Sequence, residues 1–242
     1  MEPDLVESRF REAIGHFWDA RSKNRAEQTE RGVLDQGNRA EVTGGTQLGG
    51  LELLIKDILV TSGLDELDVR TRTALEIPGY FRSEKQWDLL VVSKYRDVNR
   101  LVLAVELKSM SGSTGKNLNN RAEEAIGNAV DLWTAFRENR FGDDVPRPFV
   151  GFLALVEDLD EVNVPVRAAE PYFPTDPAFT NKTYAERWNI LCRRLVTENL
   201  YTASCCELID RNGDHRSLET QTSFRAFAAA LEGHALTFRK SL

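Results

Sequence analysis

From Trp87 onward the apolar residues of this chain recur with a period of two, and no other feature narrows its fold so far. In Leu101–Lys108 the odd positions hold Leu, Leu, Val and Leu, while the even ones run Val, Ala, Glu, Lys. One face is therefore core, and the other passes from small apolar to charged toward the C-terminal end, where a cleft opens in an α/β domain. Trp87–Val92 is a second strand-like run, and the polar stretch Ser93–Asn99 joins the two as a hairpin. Phe149–Val156 is apolar throughout, as an inner strand must be. Helical spacing appears over residues 4–22, at Leu51–Val60 up to Ser62-Gly63, from Arg121 past Trp133 and Phe136, over Tyr184–Leu200 and over Ser223–Leu231. Cys205–Ile209 reads as a further strand. The expectation is an α/β fold with a central sheet flanked by helices.

A chain of 242 residues with 41% apolar content can build one sizeable core. A single domain is expected: residues 1–45 a helix and arm, 46–160 the core, and 161–242 a helical and strand part completing it. The start, Met1-Glu2-Pro3-Asp4, lacks the basic and apolar segments of a leader, and no run reaches the ~18 apolar residues of a membrane span. That leads us to expect a soluble, cytoplasmic protein. Of the three cysteines two are adjacent, Cys205-Cys206, which suits neither a disulfide framework nor a Cys-x-x-Cys metal site, so reduced packing residues are expected. A net charge of -7 argues against a nonspecific polyanion binder but leaves room for a specific one with a basic cleft. Arg21–Glu41, poor in large apolar residues, reads as a loop or mobile arm. The glycine pairs before Leu51 lack a following Gly-Lys-Ser/Thr and read as a turn and cap, not a nucleotide loop. His16, His215 and His234 are scattered without metal-ligand spacing and read as structural or surface residues.

The chemistry concentrates at the hairpin. Asp88 opens one strand and Glu106-Leu107-Lys108 closes the other, so two carboxylates and an ammonium meet at a strand end. Phosphodiester hydrolysis needs neutralised nonbridging oxygens and an activated water. Mg²⁺ serves both and is typically held by one or two carboxylates, which Asp88 and Glu106 supply, with the Leu107 carbonyl as a further oxygen. Lys108 shares a face with Glu106 and is placed to orient the nucleophile. Glu52 lies at the edge of the apolar arc of its helix, and a surface position is as compatible with the spacing as a place in the site.

These residues carry a resemblance. The Asp88…Glu106-Leu107-Lys108 arrangement is that of the PD-(D/E)xK nucleases. Pro78–Arg82, Trp87–Val91, Ala104–Ser109 and Asn119–Gly127 resemble the XhoI family of Type II restriction endonucleases. His16-Phe17-Trp18, Gly49-Gly50, Leu155–Asp158 and the Tyr184–Arg194 segment extend the similarity over most of the chain. Trp87 stands where the general nuclease pattern has proline. The resemblance implies a restriction-endonuclease-like core with a mixed central sheet, and a Mg²⁺-dependent homodimer cutting both strands of double-stranded DNA at a palindromic hexanucleotide. CTCGAG with 5′ extensions is the implied site, and a cognate DNA methyltransferase the genetic partner. A repair or recombination nuclease of the same superfamily is the alternative. For DNA contacts, the polar stretch Ser109–Arg121 reads as a loop whose Lys116, Asn117, Asn119, Asn120 and Arg121 either reach base edges or form a solvated cap. Arg82 and Lys85 read as phosphate contacts or surface charges.

Overall fold

The computed structural model describes residues 1–30, 47–95, 97–111, 114–143, 145–167, 170 and 172–240. One mixed sheet organises them. Its order is β1 (Val69–Arg70), β4 (Leu89–Tyr95), β5 (Val98–Met110), β6 (Phe149–Glu157), β7 (Ala203–Ile209) and β8 (His215–Ser217). The inner pairs β5–β6 and β6–β7 are parallel, and the outer pairs are antiparallel. β2 (Glu76–Ile77) and β3 (Lys85–Gln86) form a separate two-stranded ribbon. Every residue of β6 is buried, as the expectation of an inner strand requires.

Helices cover both faces. On one, α1 (Pro3–Glu30), α2 (Gly49–Thr61) and α5 (Phe224–Lys240) enclose a core with Leu103, Val105 and Leu107. On the other, α3 (Thr114–Arg137) and α4 (Tyr184–Thr197) pack over Ala104, Phe152 and Ala154. Leu51, Leu54, Ile55, Ile58 and Leu59 form the buried stripe of α2, each worth ~1.5 to 3 kcal/mol in apolar burial. The second glycine before Leu51 has a packing reason. A Cβ on Gly50 would lie 3.2 Å from the Ala13 Cα, so the α1–α2 approach depends on its absence. Gly49 and Gly50 thus open a helix against α1, while Gly44 and Gly45 lie outside the described residues.

Five expectations are corrected. α1 runs to Glu30, because residues 20–30 are rich in the strong helix formers Ala, Arg, Lys, Glu and Gln although their apolar periodicity has stopped. The rest of the expected arm lies outside the described residues. α5 extends beyond Leu231 to Lys240, since Ala235 and Phe238 continue its buried stripe past Gly233. The hairpin strands run longer than Val92 and Leu101 suggest, β4 to Tyr95 and β5 from Val98, with Asp97 at φ 65° in the turn. Within β5 the strict alternation also fails at one point. Val91 pairs with Leu103 but Val92 with Leu101, a bulge that turns Val102 toward the core of Leu103 and leaves Leu101 on the opposite face. Finally, the stretch expected as a loop to Arg121 begins α3 at Thr114. Cys192, Cys205 and Cys206 are buried and free, as expected of packing residues. No helix among the described residues is long and apolar enough to cross a membrane.

Candidate active site

The hairpin fixes the geometry. Asp88 immediately precedes β4, and its N–H donates to the Val105 carbonyl at 3.2 Å. Its side chain then turns across the strand end, where Oδ2 accepts from the Leu107 N–H at 2.7 Å. Because N–H and C=O of one strand residue face the same edge, the Leu107 carbonyl also points toward Asp88, beyond the start of β4. Glu106 and Lys108 project together on the face opposite Leu107, at the C-terminal end of a parallel pair.

Glu106 is only 2% exposed, which an isolated carboxylate would not tolerate. Two ammonium groups offset its charge. Lys108 Nζ contacts Oε1, and Lys85 Nζ lies 2.6 Å from Oε2. The second contact is a charge pairing outside hydrogen-bonding geometry, so Oε2 is buried without a donor. Lys85 also sits 4.8 Å from the centroid of the Trp87 ring. Trp87, where the general pattern has proline, is buried, and its N–H donates to the Leu75 carbonyl at 2.9 Å. Lys108 reaches Glu124 of α3 at 4.0 Å.

The carboxylates oppose one another electrostatically. Burial, and next the neighbouring Glu106 charge, push the Asp88 carboxyl above its usual range, despite the Leu107 N–H and the two lysines. Glu52 on α2 is raised to about 7 by burial and by Asp88, with Arg72 pulling the other way. Glu52, Asp88, Glu106, Lys108 and Lys85 line one cleft of about 730 Å³ together with His16, Thr71 and Arg72. Burial and a neighbouring carboxylate push both Asp88 and Glu52 up, beside the buried Glu106 carboxylate, a set of oxygens suited to a hard divalent cation. Among the described residues no three acidic, His or Cys side chains converge on a single point, so the fit is to an ion held by two carboxylates and completed by other oxygens.

The sequence candidates separate here. Asp88, Glu106, Lys108 and Glu52 come together. Lys85 belongs with them and not to the outer surface. Arg82 lies apart, its Nε donating to Asp131 at 2.9 Å and a terminal nitrogen to Asn128 at 3.0 Å. Asn119 and Asn120 are exposed on α3, and Arg121 pairs with Glu124 at 2.6 Å. Lys116 and Asn117 fall in the first turns of α3, their side chains outside what is described. Sequence reasoning missed Arg72 and Thr71, which carry no motif, and placed His16 outside the site although it lines the cleft beside Gly49 and Glu52.

A mixed sheet with helices on both faces and an acidic, lysine-bearing cleft at a strand end defines a restriction-endonuclease-like hydrolase. Comparison with known proteins agrees. Residues 27–219 match the family described as restriction endonuclease XhoI. The chain is 44% identical over 181 residues to the Type II restriction enzyme BstVI of Geobacillus stearothermophilus, covering 74% of this chain and 80% of that one. It is also 44% identical over 186 residues to the Type II restriction enzyme XhoI of Xanthomonas vasicola, covering 76% and 72%. Against the Type II restriction enzyme AbrI of Azospirillum brasilense the identity is 46% over 169 residues, 69% and 73% of the two chains. No solved structure matches the chain. The chain belongs to the XhoI family of Type II restriction endonucleases. Membership implies a divalent-metal-dependent reaction on double-stranded DNA.

Proposed function

We propose that this enzyme hydrolyses one phosphodiester in each strand of the palindrome CTCGAG, leaving 5′ extensions, with Mg²⁺ held by Asp88, Glu106 and the Leu107 carbonyl. The observation that carries the assignment of roles is the meeting of Asp88, Glu106 and Lys108 at the end of β5, facing Glu52 across one cleft. When bound, the ion neutralises charge on the nonbridging phosphate oxygens and makes a neighbouring water more acidic. Asp88 is oriented by the Leu107 N–H, and Glu106 is held beneath it by burial. Lys108 Nζ, already against Glu106, donates to the attacking water and fixes its line of approach. Lys85 Nζ offsets the Glu106 charge and presents a cation to the phosphate. Glu52 accepts a hydrogen bond from the attacking water on the far side of the cleft.

Base recognition falls to the first turns of α3. Asn117, Asn119 and Asn120 have the donor–acceptor pair that reads adenine, and Arg121 and Lys116 suit guanine or phosphate. Arg82 anchors the loop that precedes β3 through Asp131 and Asn128, and its remaining guanidinium N–H groups, on a part-exposed side chain, are free to meet a phosphate. A palindrome presents two identical half-sites, so the enzyme acts as a homodimer, each copy cutting one strand. A cognate methyltransferase protects the host genome. Digesting a DNA of known sequence with Mg²⁺ and sequencing the ends tests the reading. Ends mapping only to CTCGAG, staggered to 5′ extensions, are expected. Ends sharing no hexamer would refute it.

A further inference from the structure

We infer that the outer face of α3 is the surface through which two copies of this chain pair, antiparallel about a twofold axis near Val130. The inference rests on the homodimer reading above and adds where the dimer forms. Buried residues account for one side of α3, through Ala125, Ala129, Leu132 and Ala135. The opposite side is not what a solvated helix usually shows. Ile126 and Val130 are 43% and 40% exposed there, one turn apart, with the exposed Gly127 between them. A Cβ on Gly127 would meet nothing within 4 Å, so this chain's own packing does not require a glycine, and a second backbone can approach closely.

Aromatic groups flank the stripe on both sides. On one, the buried Asp131 carboxylate accepts the Tyr80 and Phe81 N–H groups at 2.9 and 2.7 Å, fixing two exposed rings beside the helix. On the other, Val130 shares a groove with Trp133, Phe136 and Leu200, with the Arg147 guanidinium 4.1 Å from the Trp133 ring. An exposed apolar band rimmed by aromatic and Arg side chains is protein-binding in character.

Charge placement identifies the occupant as a second copy. Glu123 and Arg137, both exposed, stand at equal sequence distance on either side of Val130 and on its face of the helix at 100° per residue. An antiparallel copy centred on Val130 brings Glu123 of each chain opposite Arg137 of the other. A C2 interface has to be self-complementary in this way. DNA is disfavoured as the occupant, since acids and bases balance along the stripe and its centre is apolar. The same helix carries Glu124, the neighbour of Lys108, so pairing here couples the dimer to the site in each copy.

Sedimentation velocity of the full chain without DNA reads the pairing independently of cleavage. Wild type is expected to be a dimer. Val130→Arg places two cations at the axis and should weaken the dimer about a hundredfold, and Arg137→Glu alone about tenfold or more. Because Arg137 and Glu123 are exposed, circular dichroism should remain unchanged. The double variant Glu123→Arg/Arg137→Glu should recover most of the wild-type affinity, which nonspecific damage would not allow. A dimer indifferent to Val130→Arg, or one that the double swap fails to restore, would overturn this interface while leaving the homodimer and nuclease readings intact. A monomeric wild type would overturn the homodimer reading and the interface together. Specific cleavage by that monomer would leave the nuclease assignment standing.

Discussion

Replacing Asp131 with alanine should release the loop that leads into β3 and Lys85. Its carboxylate is 4% exposed and accepts three hydrogen bonds, from the Tyr80 N–H, the Phe81 N–H and Arg82 Nε, at 2.9, 2.7 and 2.9 Å. Burial alone would raise its pKa, but the Phe81 N–H, Arg82 and the Tyr80 N–H outweigh that and hold it below the usual carboxylate range. Hydrogen bonds to a charged group contribute about 1.5 to 3 kcal/mol each when deletion strands the partners. Tyr80 and Phe81 lie near the surface, where water recovers part of that loss. The expected cost is therefore about 2 to 3 kcal/mol, or about 4 to 12 °C in Tm for a chain of this size. Urea unfolding should show a lower midpoint at unchanged slope. A lowered native pKa means that this stability is present above the unfolded value, ~3.9, and is lost as pH falls through the native one, so the gap between wild type and variant should narrow below about pH 4. Gly79→Ala should reproduce the defect, since its Cβ would sit 2.2 Å from Asp131 Oδ2. An Asp131→Ala variant as stable as wild type, with Lys85 undisturbed, would refute the reasoning.

Gly151→Ala in β6 should cost about 1 to 3 kcal/mol by overpacking, because the added methyl would lie 2.9 Å from Phe227 and 3.0 Å from Phe149; a Tm equal to wild type would show that these rings move freely. His215 bridges Glu207 at 3.2 Å and Glu7 at 2.8 Å, and the hydrogen bond to Glu207 leads in raising its pKa. Its contribution is therefore complete below the unfolded value, ~6.5, and is lost as pH rises through the native one. The stability gap between wild type and His215→Gln should shrink as denaturation curves are taken from pH 6 to 9, and a gap that widens would reverse the sign. Lys108→Ala should lose hydrolysis yet keep sequence-specific binding with Ca²⁺ in a mobility-shift assay, since Ca²⁺ bridges carboxylates and phosphate without the tighter catalytic geometry. Joint loss of both would make Lys108 a docking residue.

The inner strands and the meeting of Asp88 with Glu106 and Lys108 were legible because a period of two states which side chains share a face. That logic stops where the backbone breaks its own period. The bulge beside Val92 moves Leu101 and Val102 to opposite cores, which no count of apolar residues reveals. Helix ends were misread at residues 20–30 of α1, where propensity and not an apolar stripe sustains the helix, and in the first turns of α3, where Gly115, Asn117, Asn119 and Asn120 are weak helix formers and read as a loop. Lys85 shows the limit for the site. Its pairing with Glu106 depends on a two-residue ribbon too short to carry a pattern, and Arg72 and His16 enter the cleft from elements distant in sequence. Glu52 was half legible, since its helix phase set it at the stripe's edge and only tertiary packing turned that edge toward Asp88.

The central claim is that Asp88 and Glu106 hold the metal on which cleavage depends. Single-turnover cleavage of a plasmid carrying one CTCGAG site, by wild type, Asp88→Asn and Glu106→Gln across a Mg²⁺ titration, tests it most directly. Both variants keep the side-chain shape, so folding measured by circular dichroism should be preserved. Wild type should cut both strands and stop on chelation, and each variant should be slower by about a thousandfold or more at every Mg²⁺ concentration. Cleavage within tenfold of wild type by either folded variant would contradict the account.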